Sequence, residues 1–245
     1  MTLIQQELRR IVFHKMKRRD FLLAAAANAL LPMSALANNA DISKISWQDF
    51  KLNMHDLANV NSKHNISQAQ LVKRGFQILK RLDINSGSFK HALQNAYESG
   101  NHFWLWQRLI KDKNINGGVL NIDDNQIVQL HDHPGATGMI RIISGEVETW
   151  QFDQAITKNK SPENICELKR VSHRILRTND MAVLTPENGN IHALRSISKT
   201  ARMLDIFIPP YDTNQRSWYQ PQSESWFDKE IILCKKIPQD DFNLI

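Results

Sequence analysis

The segment VQLHDHPGATGMIRIISGEVETWQF, residues 128–152, has the alternating apolar pattern of β-strands. His131 and His133 stand one residue apart near its start, and Gly145 marks a turn between its two longer apolar runs. Because residues i and i+2 of a strand point to the same face of a sheet, we expect both imidazoles to project together. Two imidazoles on one face are the beginning of a metal site.

The chain from residue 101 onward repeats this pattern. Short apolar runs such as GGVLNI, MAVLTP, IHALRSI and ARMLDIFIPP are separated by Asn, Asp, Gly, Pro and Lys. Regular short strands with turn residues between them are typical of a β-sandwich or β-barrel. The sequence therefore predicts a mainly β protein with a barrel over 101–245.

Residues 38–100 have a helical pattern instead. Apolar residues recur at helical spacing in ISWQDFKLNMHDLANV and SQAQLVKRGFQILKRL, and Ser67 is the predicted N-cap of the second helix. The segment SFKHALQNAYESG predicts a third short helix that ends at Gly100. We interpret the apolar stripes as core-facing surfaces of a small helical N-terminal cap, with no functional role.

Residues 1–37 have the three parts of a signal peptide: a basic start, an apolar run from Phe21 and small residues up to Ala37. Arg18 and Arg19, followed by Asp-Phe-Leu, resemble the twin-arginine export signal. This predicts export to a bacterial periplasm by the twin-arginine machinery, with no stable membrane insertion after cleavage. An ordinary Sec signal or an uncleaved anchor is the alternative, and Met16 could be the true start.

The charge distribution argues against a nucleic-acid partner. The formal net charge is +6, but residues 1–37 hold six basic and two acidic residues, which leaves only +2 on the remainder. A nucleic-acid-binding domain is expected to keep its basic patch on the folded part. The only cysteines, Cys166 and Cys234, could form a disulfide in an oxidising compartment or remain two buried thiols, and the sequence leaves both open.

A third metal ligand must come from a distant strand, and His192 in LTPENGNIHALRS is the candidate. The H-x-H pair, residue 138 and Gly145 have the offsets of the first cupin motif, and Pro186, Gly189 and His192 supply the second. The sequence therefore resembles the cupin family, which implies a double-stranded β-helix, or jelly-roll, barrel. It departs from the family at Gly138, where cupins usually place a fourth ligand, a glutamate.

A three-histidine cupin without this carboxylate resembles the thiol dioxygenases. HDHPG, GNIH and LDIFIPPYD are similar to the group that includes plant cysteine oxidases and cysteamine dioxygenase. The resemblance implies that the trio binds Fe(II) and that a small thiol is oxidised by O₂ to its sulfinic acid. Three neutral imidazoles leave positions open where thiolate and O₂ bind side by side, and the missing carboxylate keeps the site positive enough to favour a thiolate.

The resemblance also assigns three further residues. Asp205 matches an aspartate of the cysteamine and plant-oxidase group and would hydrogen-bond a histidine ligand or the substrate. Tyr211 matches a tyrosine of the plant-oxidase pattern and would line the pocket. Arg108 stands where cysteine dioxygenases place an arginine for the substrate carboxylate. Asp205 favours an amine-ended thiol or an N-terminal cysteine, whereas Arg108 favours cysteine or a mercapto acid, and the sequence leaves both open.

Small-molecule cysteine dioxygenases have a Ser-His-Tyr trio along the strand that carries Asp205. Met203, Asp205 and Phe207 occupy these positions here, so the trio is absent. Gly138 and Phe207 stand where some members crosslink a cysteine to the tyrosine, so that crosslink cannot form.

Two other functions remain open at this stage: a metal-dependent cupin that acts on a non-thiol substrate, and a non-catalytic periplasmic cupin that binds a metal or ligand. The remaining histidines are interpreted as structural; these are His14, His55, His64, His91, His102 and His173.

Overall fold

The computed structural model describes residues 43–100, 104–155 and 164–239. The predicted signal peptide and the possible start at Met16 lie outside the described residues, as do His14 and His102. Within the described part of the chain, no helix is long and apolar enough to cross a membrane.

Within the described residues, three α-helices precede twelve β-strands. The helices are α1 (Trp47–His64), α2 (Gln68–Arg81) and α3 (Gly87–Gln94). The strands are β1 (Tyr97–Gly100), β2 (Trp104–Lys111), β3 (Asn116–Asp123), β4 (Ile127–His131), β5 (Thr137–Ser144), β6 (Glu146–Gln154), β7 (Ile165–Arg177), β8 (Met181–Leu184), β9 (Ile191–Ser196), β10 (Thr200–Ile208), β11 (Ser217–Pro221) and β12 (Ile231–Pro238).

Serine side chains begin all three helices. The Ser67 hydroxyl accepts a hydrogen bond from the Gln70 backbone N–H, and the Gln70 side chain accepts one in return from the Ser67 N–H. This capping box confirms Ser67 as the N-cap of α2. The Ser46 and Ser86 hydroxyls cap α1 and α3 by accepting hydrogen bonds from the backbone N–H groups of Asp49 and Phe89.

The third helix does not extend to Gly100, so that prediction is wrong. The helix ends at Gln94, and Tyr97–Gly100 forms β1, which pairs antiparallel with β2. Helix propensity is a weak preference, and here hydrogen bonding to a neighbouring strand overrides it. Gly100 closes this strand with a φ of +126°, a conformation that glycine adopts most readily. The last residues of the predicted cap therefore belong to the sheet.

The central eight strands form a jelly roll. One sheet has the order β3-β10-β5-β8, extended by β2 and β1, and the other has the order β4-β9-β6-β7, extended by β12 and β11. Strand β11 returns to β4 through the pair Trp218 and His131, which closes the second sheet. From β3 to β10 the chain passes from one sheet to the other at every step except β6 to β7, which pair antiparallel within the second sheet. The predicted mainly β barrel behind a small helical segment is confirmed.

Alternation along β10 separates two cores. Leu204, Ile206 and Ile208 face the helices and pack with their buried apolar stripes. Met203 faces the opposite side and packs between the sheets. Arg141 ties the helical segment to the barrel, because its Nη1 donates to the carbonyls of Leu79 and Leu82 at 2.6 and 2.9 Å. The helices therefore cover the outer face of one sheet, and the inner face is left to line the barrel.

Cys166 and Cys234 face each other across β7 and β12 in direct register. Both thiols are free and buried. Burial raises the pKa of Cys166 and raises that of Cys234 to about 12. Both side chains therefore behave as apolar core groups at neutral pH.

Candidate metal centre

The three predicted histidines converge inside the barrel. His131 ends β4 and lies directly opposite His192 on β9. The potential ligand atoms of His131, His133 and His192 all lie within 4.8 Å of one another. The three residues are only 3–5% exposed. The fold therefore brings His192 next to His131 and His133, although His192 follows them by 59 residues or more in the sequence.

His133 lies just beyond the end of β4 rather than on it, and Asn190 holds it in place. The His133 backbone N–H donates to Asn190 Oδ1 at 2.7 Å, and Asn190 Nδ2 donates to the His133 carbonyl at 3.2 Å. This two-point contact fixes the turn after β4 against the start of β9. Sequence reasoning did not identify Asn190, although its position two residues before His192 was a usable signal.

The ring nitrogens are oriented for a shared ion. His131 Nδ1 lies 2.7 Å from the Gln129 carbonyl, which can only accept, so Nδ1 carries the proton and Nε2 keeps a free lone pair. The Nε2 atoms of His133 and His192 are 3.0 Å apart. Two nitrogens that each lie about 2.1 Å from one ion at right angles are separated by about 3.0 Å. The donor set therefore fits a divalent transition metal.

The electrostatic surroundings keep all three imidazoles neutral. Burial lowers the pKa of His131 and His133 well below the usual value, and it lowers that of His192 to about 3. The positive charge of Arg216 lowers all three pKa values further. Metal binding requires deprotonated imidazole, so the trio is ready to bind an ion without first losing protons.

Position 138 has no room for a fourth ligand. A Cβ atom on Gly138 would lie 2.8 Å from Cγ and Cδ1 of Leu184 and 3.0 Å from Cε1 of Phe207. These two side chains occupy the space that a carboxylate from this position would need. Among the described residues, the group of potential metal ligands contains the three histidines and no carboxylate.

Asp132, between the two histidines, points away from them and anchors β11. Its carboxylate accepts hydrogen bonds from the Ser217 N–H and the Tyr219 hydroxyl, both at 2.8 Å. Its own N–H donates to the Ser217 carbonyl at 3.1 Å. The alternation that turns His131 and His133 inward thus also directs Asp132 towards the strand that closes the sheet.

Asp205 lies on the inward-facing side of β10. It is buried, and in the strand register it stands between Gly118 and Ile140. Its Oδ1 atom has no hydrogen-bond partner. Burial raises the pKa of this carboxyl well above its ordinary value.

Tyr211 packs directly on the histidine cluster. Its ring centroid is 4.5 Å from that of His133 and 5.1 Å from that of Phe207. Its hydroxyl accepts a hydrogen bond from Arg216 Nη2. Burial raises the pKa of Tyr211, whereas the charge of Arg216 and its hydrogen bond lower it; Asp205 and Arg108 have smaller electrostatic effects on the same hydroxyl.

Arg108 lies on β2, opposite Gly118, in the same cross-strand row as Asp205. Its Nε atom is buried without a partner, and its guanidinium lies 5.9 Å from the Tyr97 ring centroid. Asp205 and Arg108 therefore lie on the same side of the histidine cluster as Tyr211.

Arg216 is a site residue that sequence reasoning missed. It directly precedes β11, and its guanidinium lies 5.2 Å from the Tyr211 ring centroid and 5.6 Å from that of Trp218. Nothing in the sequence distinguishes it from the other arginines of this chain. Its place beside the histidines depends on the pairing of β11 with β4, which local patterns do not reveal.

The chain is similar to a known protein family over most of its length. A family model described as PCO_ADO matches residues 48–230 of the 245. The chain is 29% identical over 125 residues to a 2-aminoethanethiol dioxygenase of Mus musculus, covering 44% of this chain and 49% of that protein. It is 25% identical over 120 residues to a probable 2-aminoethanethiol dioxygenase of Dictyostelium discoideum, covering 47% and 55%.

The chain spans about half the length of the curated relatives it matches. Among solved structures, an RmlC-like cupin from Shewanella frigidimarina aligns over 47% of this chain and 86% of its own, with 13% identity and a TM-score of 0.36. A similarity of this size concerns the fold alone.

Proposed function

The chain belongs to the PCO_ADO family, and from this premise we propose that it is an iron-dependent thiol dioxygenase. Its substrates would be O₂ and a small thiol, and its product the corresponding sulfinic acid. The activity for which these relatives are named, 2-aminoethanethiol dioxygenase, supports a small thiol as the substrate class.

The observation that carries the proposal is a site of three buried neutral imidazoles with the fourth position closed. His131, His133 and His192 would hold Fe(II), and the donor set fits such an ion. Bound there, the ion would supply open coordination positions at which thiol and O₂ meet. Leu184 and Phe207 would keep a carboxylate from position 138 away, which leaves the positive charge of the ion available to a thiolate.

The side chains around the trio would orient the substrate. Asp205 has a buried oxygen without a partner and would hydrogen-bond a polar group of the bound thiol. Tyr211 lies against His133 and would form one wall of the site, with its hydroxyl position fixed by Arg216. Arg108 would add a second positive charge on the same side of the cluster.

The test begins with anaerobic Fe(II) loading of the full chain, followed by oxygen-electrode traces with cysteine, cysteamine, 3-mercaptopropionate and a peptide with an N-terminal cysteine. We expect O₂ uptake with at least one thiol and a mass gain of two oxygen atoms on its sulfur. His192→Ala should bind less iron and lose activity, whereas the exposed His64→Ala should retain both. Normal turnover by His192→Ala, or no uptake by iron-loaded protein, would overturn the proposal.

We also propose that the protein is exported to a bacterial periplasm by the twin-arginine route. The support is the sequence of residues 1–37 alone, with Arg18 and Arg19 before an apolar run. Replacing both arginines by lysine in the full chain should retain the protein in the cytoplasm, as measured by cell fractionation. Unchanged export of that variant would favour an ordinary Sec signal.

A further inference from the structure

Buried polar atoms without a partner are concentrated near the histidine cluster. Among the described residues, five buried side-chain polar atoms lack a hydrogen-bond partner, and four of them belong to Arg108, His133, Asp205 and Arg216. Such groups are usually satisfied in a folded protein, so each exception calls for an explanation. A bound ligand with its own charged groups is the explanation that accounts for several exceptions at one site.

Arg216 is the best placed of these residues. Arg216 donates a hydrogen bond to the Tyr211 hydroxyl, and the Tyr211 ring packs on His133. Trp218, over which its guanidinium also lies, packs on His131 with ring centroids 5.0 Å apart. The guanidinium is therefore held beside both histidines of the H-x-H pair by two aromatic rings, each of which contacts one of them.

The guanidinium has donors to spare. Nη2 donates to the Tyr211 hydroxyl, while Nε is buried without a partner. An arginine fork that uses Nε together with an Nη atom matches the two oxygens of a carboxylate. A lone hydroxyl such as that of Tyr211 cannot satisfy such a fork, because it offers one acceptor oxygen rather than two in a plane.

The ionisable groups around the Tyr211 hydroxyl are two arginines, Arg108 and Arg216, and one carboxylic acid, Asp205. Arg108 and Arg216 both act electrostatically on the Tyr211 hydroxyl, as does Asp205. No ion pair joins either arginine to Asp205 among the described residues: the salt bridges found there involve other groups. Two guanidinium groups that have no ion-pair partner in the described part of the chain, beside a site for a divalent cation, favour an anionic ligand.

We propose that Arg216 binds a carboxylate of the substrate, so that the protein takes an anionic thiol, such as a mercapto acid or cysteine, in preference to a thiol with only an amine. This inference rests on the proposed thiol dioxygenase function. It predicts a preference different from 2-aminoethanethiol, the substrate for which the relatives are named. Arg216 would act as a specificity determinant in this site, and the thiol would be left to face the metal.

The test uses the iron-loaded full chain and compares 3-mercaptopropionate, cysteamine and neutral 2-mercaptoethanol. The wild-type kcat/KM for 3-mercaptopropionate should exceed that for cysteamine. Because Arg216 also holds the Tyr211 hydroxyl, Arg216→Gln should raise the KM for both thiols, but about tenfold more for 3-mercaptopropionate than for 2-mercaptoethanol, a difference of about 1.4 kcal/mol. Arg216→Lys, which keeps the charge but not the fork, should recover part of the loss.

Arg202→Gln is the matched control, because Arg202 is an exposed arginine on β10. It should leave all three KM values unchanged. An equal rise of KM for every thiol in Arg216→Gln would overturn the proposal and assign Arg216 to the support of Tyr211. A wild-type preference for cysteamine would overturn it as well.

Calorimetric titration with 3-mercaptopropionate under anaerobic conditions separates this proposal from the proposed function. If no thiol is oxidised but 3-mercaptopropionate binds to wild type and about tenfold more weakly to Arg216→Gln, the dioxygenase function fails and the carboxylate site stands. If thiols are oxidised but Arg216→Gln binds 3-mercaptopropionate as tightly as wild type does, the function stands and the carboxylate site fails. Thermal unfolding of each variant verifies that it is folded.

Discussion

Replacing Gly138 by alanine should destabilise the protein, because its single added carbon has no space. That carbon would lie 2.8 Å from two atoms of Leu184 and 3.0 Å from Phe207 Cε1. Carbon atoms in optimal contact are about 3.5–4.0 Å apart, so the neighbours must move by several tenths of an ångström or more. Overpacking of this kind costs about 1–3 kcal/mol. For a chain of this size, such a loss lowers Tm by about 2–12 °C.

The assay is thermal unfolding of metal-free protein, followed by circular dichroism. Gly87→Ala is the matched control, because a Cβ atom at Gly87, the first residue of α3, would meet nothing within 4 Å. That variant should change stability by less than about 1 kcal/mol. Adding Leu184→Ala to Gly138→Ala should cost less than the sum of the two single changes, since the smaller side chain makes room for the new carbon.

An unchanged Tm for Gly138→Ala would refute the reasoning, because the space beside the histidines would then be open. A second variant, Gly138→Glu, extends the same test to the metal. If Leu184 and Phe207 close this position, the new carboxylate cannot join the trio, and the variant should bind iron no more tightly than wild type. Tighter iron binding with retained stability would mean that position 138 has room for a carboxylate ligand, and that the ligand is absent only because residue 138 is glycine.

Three further predictions concern the surroundings of the site. Metal-free protein should lose stability as the pH falls below about 6.5, because the clustered histidines have lowered pKa values and only the unfolded chain takes up protons there. The loss approaches about 1.4 kcal/mol per pH unit for each histidine. Urea unfolding measures this loss, and its pH dependence should be shallower in His192→Ala. Asp132→Asn should lower stability by about 1–3 kcal/mol and weaken iron binding about tenfold or more, because it weakens the bonds that hold β11 behind the histidines; equal iron affinity in a metal titration would contradict this. Cys166 and Cys234 should react with iodoacetamide at pH 8 far more slowly in the native than in the unfolded protein, because burial raises both pKa values; equal rates by mass spectrometry would contradict the burial.

The fold could be predicted because the pattern that encodes each strand is local. Apolar alternation and turn residues mark the strands one by one, and a chain of many short strands closes into few architectures. The end of α3 could not be read in this way. The residues YESG carry no strand pattern of their own, and their pairing with β2 depends on a partner that the local sequence does not specify.

The metal centre was also predictable only in part, and again the local sequence pattern decides which part. The trio was predictable because two motifs with fixed spacing place histidines at a strand end and after a turn. The residues that hold the trio were not, because each acts across strands. Asn190 binds the backbone of His133, and Asp132 binds β11. Such contacts require knowledge of which strands are neighbours, and a single sequence does not contain it.

The strand register places His131 both in the histidine cluster and at the closure of the second sheet. His131 is opposite His192 on one side and Trp218 on the other, and β11 and β4 are joined in the register only through that second pair. An ion that fixes His131 against His192 would hold the end of β4 in the position that Trp218 and Asp132 need. Arg216 precedes β11, so its distance from the ion depends on the same pairing. Loss of the metal would therefore loosen the guanidinium as well as empty the histidine cluster, and substrate recognition at Arg216 would depend on metal occupancy even though Arg216 is not a ligand.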